Sequence, residues 1–284
     1  MRKGSNGRYD DSPRAKGRRR RVKAYNRSSL CLLLPSLCGF LAFFVVPFLY
    51  SFTYAFEKNA FTHEFVGLDN LRALLENSHF RLAMRNTLSF VAVSVPLTMV
   101  LSIAAALLIA QVASRLPMLK SAFFLPVVLP SATVVMLCGA YLTKLPPFSS
   151  LLLLYLWKYG GLHLMLILTA ITALPREMGE AALIDGANGW QRARYVTLPC
   201  IMPTIFFTLV LAIVNAMKIY RESFLLYSNY PADEVYMLQN YLSNHFAKLN
   251  YQNISTAAIF FAVIMYAVVS VIFIVERKWS ESIW

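Results

Sequence analysis

Charge is scarce in this chain: only 14% of its 284 residues are Asp, Glu, Lys or Arg, against roughly 25% in an ordinary soluble domain. Hydrophobic residues make up 58% and the mean hydropathy is +0.54, more apolar surface than one soluble core can hide. A soluble enzyme and a disordered chain are thereby excluded. Cysteine is sparse too. Cys31, Cys38, Cys138 and Cys200 show no CxxC spacing, which excludes a disulfide scaffold and leaves them as packing residues. His63, His79, His163 and His245 are too scattered to argue a metal site. No Gly-x-x-x-x-Gly-Lys-Ser/Thr or Gly-x-Ser-x-Gly pattern occurs, so the chain carries neither a nucleotide-cradling loop nor a nucleophile elbow. Nor is there an internal repeat of the kind that builds inverted-repeat carriers.

What is present is long apolar runs. A bilayer core of roughly 30 Å needs about 20 helical residues at 1.5 Å rise each. Six stretches qualify, at about 30–56, 86–111, 119–143, 149–173, 203–227 and 254–275, predicting an all-α integral membrane protein. The first is too long for the 7–15-residue core of a cleaved leader and reads as an anchor. Before it lies a basic tail, residues 1–28, with Asp10 and Asp11 as its only acids. A tail of this sign beside a span fits cytoplasmic retention and attraction to anionic lipid rather than nucleic acid. If the N-terminus is inside, 18 of the 27 cations but only seven of the 14 acids fall on cytoplasmic segments. The positive-inside rule therefore predicts a multi-pass protein with both termini cytoplasmic, residues 279–284 forming the short C-terminal tail.

The loops differ in kind. Outside, Leu68, Leu71, Leu74 and Leu75 are spaced for a short interfacial helix. The third and fourth spans are joined only by Lys144 to Ser149. Beyond the fifth, Tyr230-Pro231 marks a turn. The cytoplasmic loop 174–202 is the most patterned. Pro175 cannot continue the preceding helix, Gly186 suits a left-handed helix stop, and Pro199 starts an exit turn. Two short helices bent at Gly186 are expected, with Ala181 and Ala182 keeping the surface low for a partner's backbone and Glu180 and Asp185 offering charge. The same residues also suit a pair of interfacial helices that merely joins two spans.

The run Glu180-Ala181-Ala182, then Asp185-Gly186-Ala187, then Leu198-Pro199 resembles the EAA loop of ATP-binding-cassette importer permeases, whose coupling helix sits in a cleft of the ATPase. Phe65 to Asn70, Arg85 to Leu88, Phe124-Leu125-Pro126 and Trp157-Lys158 with Gly161 are similar to the carbohydrate branch, the maltose and glycerol-phosphate type, over essentially residues 30–278, within a transmembrane permease domain of 29–278. Lys218 to Glu222, Tyr230-Pro231 and Tyr236 to Gln239 are similar to a subgroup of sugar permeases from Gram-positive bacteria. The resemblance implies a type I importer permease fold in a bacterial plasma membrane and a coupling role for Glu180, Ala181, Ala182, Asp185, Gly186 and Ala187. It also implies a second permease, two ABC ATPases that bind ATP and Mg in place of any cofactor here, and an extracellular solute-binding protein. One departure is the short 144–149 connection, where family members carry a longer external segment with a Gly-x-x-Asn element.

Ionisable groups inside a span cost about 2.5–3.5 kcal/mol each by insertion scales and need company or water. The fifth span carries Lys218, Arg221 and Glu222, and the fourth Lys158 and His163. Lys218 and Glu222 stand at i and i+4 and can pair, leaving Arg221 alone. Two readings stand: Lys158, His163, Asn215, Lys218, Tyr220, Arg221 and Glu222 line a solute path, or the fifth-span charges snorkel at the outer interface. An ATP-independent carrier or channel is the alternative function, and the Glu180–Pro199 loop, which such a protein does not need, separates the two.

Overall fold

The computed structural model describes residues 33–58, 63–110 and 117–283. The basic tail, Cys31 and Arg115 lie outside them. The chain divides into two units, Met1–Tyr54 and Ala55–Trp284. In the first, Leu33–Tyr54 is a 22-residue apolar helix. Its stretch Leu41–Val45 takes the wider π register, with the Val46 amide donating to the Leu41 carbonyl. Pro47 follows directly, and the extra residue in that turn accommodates a ring that cannot donate.

In the second unit, four further spans are continuous in hydropathy: Ser78–Ala110, Pro147–Ala173, Met202–Tyr227 and Tyr251–Trp279. The third expected span departs from the sequence reading. It is two helices, Ala122–Val128 and Ser131–Leu142, bent by 105°. Pro130, with ψ of 140°, removes an amide and pushes Leu129 out of the helical region. Pro96, by contrast, sits inside the unbroken second span.

The second span packs most extensively on the fourth. Phe90 meets Tyr155 edge-on at 5.8 Å, and the Tyr155 hydroxyl donates to the Ala212 carbonyl of the fifth span at 2.8 Å. That contact makes Tyr155 a core residue. The first half of the third span lies so close to the fourth that a Cβ on Gly161 would run into the Phe123 carbonyl. The short hairpin between the third and fourth spans is closed by the Ser150 hydroxyl, which donates to the Leu142 carbonyl at 2.6 Å.

At the other side of the bundle from the 174–202 loop, helices Asp69–Glu76 and Leu238–Ala247 cap the ends of the second and sixth spans. They enclose Leu74, Phe80, Met84, Leu238 and Tyr241. Asn86 donates from Nδ2 to the carbonyls of Asp233 and Tyr236. Thr87 Oγ1 accepts the Leu238 amide at 2.9 Å. These two side chains, which sequence pattern alone placed only at a span entry, pin the 228–250 segment. Of the cysteines, Cys138 is half-buried, as a packing role expects, whereas Cys38 and Cys200 are exposed on the chain's surface.

Candidate functional site: coupling loop and buried charges

The loop between the fourth and fifth spans has the expected bend. The fourth span stops at Ala173, Leu174 is extended and Pro175 precedes a helix over Arg176–Ile184. That helix ends in a glycine-stopped Schellman motif. The Ala187 amide donates to the Ala182 carbonyl at 2.9 Å, the Gly186 amide to Leu183 at 3.0 Å, and Gly186 has φ of +79°. An L side chain there is strained, which is why glycine stands at this position. Asn188 and Gln191 then form a reciprocal capping box, 2.8 and 2.9 Å, that starts the next helix at Gly189.

Pro199 lies inside the helical run rather than at its exit. A π turn over Ala193–Thr197 precedes it and the break falls at Ile201; the wider turn just before Pro199 accommodates a residue with no amide donor. Glu180, Ala181, Asp185 and Gly186 are exposed, while Ala182 and Ala187 are half-buried. Ile184 is 88% exposed and Trp190 67%. Sequence pattern alone singled out neither, although a Leu183-Ile184 pair directly before an acid and a glycine stop was a visible signal. Behind the loop, a groove of about 640 Å³ runs against the ends of the second and fourth spans.

The embedded charges are arranged otherwise than expected. Glu222 pairs with Lys158 of the fourth span, not with Lys218. Ser131, the first residue after the bend of the third span, donates to Glu222 Oε1 at 2.7 Å and accepts from Lys158 Nζ at 2.7 Å. Lys158 and Glu222 are 5% and 1% exposed. The i, i+4 geometry fails because the fifth-span helix breaks between Met217 and Tyr220, turning Glu222 inward while Lys218 and Arg221 are exposed. His163 is buried, with Asn215 Nδ2 at 3.5 Å from its Nε2. Tyr220 is half-buried and lines a cavity of about 180 Å³ with Thr87, Met217 and Gln239. The sequence reading did not include Ser131, whose only signal was its place directly after Leu129-Pro130.

A bundle of apolar spans with a structured loop at one end and paired charges at its centre defines a membrane transport subunit. Residues 118–282 match the family described as the inner membrane component of binding-protein-dependent transport systems, and the chain belongs to that family. The arabinooligosaccharides transport system permease protein AraP of Bacillus subtilis (strain 168) is 28% identical over 281 residues, covering 87% of each chain. The trehalose/maltose transport system permease protein MalF of Thermococcus litoralis is 26% identical over 226 residues, covering 70% of this chain and 77% of the relative. A chain in the crystal structure of a bacterial ABC transporter involved in import of the acidic polysaccharide alginate superposes with a TM-score of 0.77 at 24% identity, covering 91% of this chain and 99% of that one. The fold is that of a type I ABC importer permease.

Proposed function

We propose that this chain is one of two permease subunits of an ATP-driven importer for an oligosaccharide handed over by an extracellular binding protein, with ATP and Mg held by two partner ATPases. The names of its relatives support a carbohydrate cargo. The observation that carries the coupling role is the hydrogen-bonded, protruding bend at 182–187, which presents Ile184 and Asp185 to solvent on a glycine-stopped helix end. An exposed isoleucine framed by Glu180 and Asp185 suits a cleft in an ATPase, where a few buried anchors carry most of an interface's energy. Lys158, His163, Asn215, Lys218, Tyr220, Arg221 and Glu222 form or support the solute path.

Proteoliposomes holding the complete importer should take up oligosaccharide only with internal ATP, and uptake without ATP would sink the importer reading. Ile184→Asp and Gly186→Val should each lower transport at least about tenfold and release the ATPase on purification, since a central interface anchor is worth roughly 2 kcal/mol or more. Membrane amounts should hold, because no span is touched. Normal transport in both well-accumulated variants would remove the coupling role.

The cytoplasmic placement of both termini rests on the cation asymmetry. In a background without the four native cysteines, thiols introduced at Ser5 and Ser282 should resist an impermeant reagent in intact cells and react once the cells are opened. Labelling of either from outside would reverse the orientation.

A further inference from the structure

We propose that the path this chain contributes is built for an anionic oligosaccharide, one bearing carboxylates such as a uronate oligomer, with Lys218 and Arg221 as the recognising groups. This rests on the import reading above and adds the cargo's charge to it.

Within the second to fifth spans Glu222 is the only carboxylate in the sequence. Its charge is consumed by Lys158 in the core. Lys218 and Arg221 are therefore left uncompensated, and neither meets a carboxylate among the described residues. The backbone places them together. From Asn215 to Glu222 the helix tightens into i, i+3 hydrogen bonds: Lys218 to Asn215 at 3.1 Å, Ile219 to Ala216 at 3.4 Å and Glu222 to Ile219 at 3.1 Å. In such a turn side chains three apart eclipse, so Lys218 and Arg221 share the exposed side while Glu222, one residue on, faces inward.

Two unpaired cations on a span are too costly to face hydrocarbon and so face water. The outer surface does not share their sign. Residues 57–85 carry Lys58, Arg72, Arg81 and Arg85 against Glu57, Glu64, Asp69 and Glu76, the 144–149 connection carries Lys144, and residues 228–250 carry Lys248 against Asp233 and Glu234, six cations against six acids. Outside the cytoplasmic segments the positive excess is thus confined to the membrane level, where low-dielectric walls focus the field on a passing solute. A neutral sugar needs hydroxyl and amide partners, which Asn215 and Tyr220 supply. Two cations are needed only if the solute brings anions, and an arginine fork matches a carboxylate bidentately.

The test uses the complete importer in proteoliposomes, offered oligomers of galacturonate, glucuronate and mannuronate and the neutral methyl esters of each. Wild type should take up at least one acid with ATP about tenfold or more faster than its ester. Lys218→Gln with Arg221→Gln should bring that ratio near one at unchanged membrane amount, while Arg221→Lys, which keeps the charge, should retain most of it. ATP-dependent uptake of the esters or of neutral malto- or arabino-oligosaccharides in preference to every acid would overturn the charge inference and leave the import reading standing. Uptake of nothing, or uptake indifferent to ATP, would overturn the import reading and this inference with it.

Discussion

Lys158→Met and Glu222→Leu, made singly, should each reduce the folded protein recovered from membranes by an order of magnitude or more, and the two together should restore much of it. Breaking a buried ion pair costs roughly 3–5 kcal/mol because the remaining charge is stranded, whereas replacing both members by apolar groups of similar volume is often neutral or stabilising. The pair is almost fully buried and joins three spans through Ser131. Thermal midpoints of the detergent-purified variants would check the cycle, with a coupling of the two changes well above additive scatter. Lys218→Met is the control that separates the observed pairing from the one expected by sequence spacing. It should accumulate like wild type, because Lys218 is exposed and Glu222 does not depend on it. Loss of folded protein in Lys218→Met, with Lys158→Met unaffected, would overturn the assignment of the pair.

Gly161→Ala should be the most damaging single-methyl change in the fourth span. The added carbon would collide with the Phe123 carbonyl, backbone that cannot step aside without moving the first half of the third span. Overpacking of this kind typically costs about 1–3 kcal/mol. The neighbouring Gly160 has open space around its Cβ position. Gly160→Ala should therefore stabilise by up to about 1 kcal/mol through helix propensity. Comparing the two melting midpoints tests the close approach itself. Equal midpoints would show that the third and fourth spans do not touch at Gly161.

Local signals along the chain carry much of the fold. The helix stop at Gly186 was legible because a left-handed residue at a helix end is met by glycine at almost any tertiary cost. The tight connection over Lys144–Ser149 was legible from its length. The bend of the third span was not, although Pro130 is in plain view, because Pro96 in the second span interrupts nothing. Whether a proline breaks a membrane helix depends on whether its neighbours can satisfy the freed backbone groups, and that is a property of packing. Asn86 and Thr87 likewise looked like an entry to a span. Their role became visible only when residues 233–238, some 150 positions away, were found against them.

What the sequence by itself determined is the solvent and the address of the protein. Six apolar stretches can satisfy their backbone groups in lipid only as helices, and the Glu180–Pro199 run sets a helix stop and restart in the loop between two of them. Both follow from near-neighbour chemistry, in which residues a few positions apart decide the outcome. Only the tertiary structure decided which charges meet. Lys218 stood four residues from Glu222 and looked like its partner, yet a break in the fifth-span helix turned Glu222 toward Lys158, 64 residues away. An ion pair in low dielectric forms where desolvation is shared and further hydrogen bonds are to hand. Ser131, brought in by the bend at Pro130, supplies them there, and separation along the chain has no bearing on that choice.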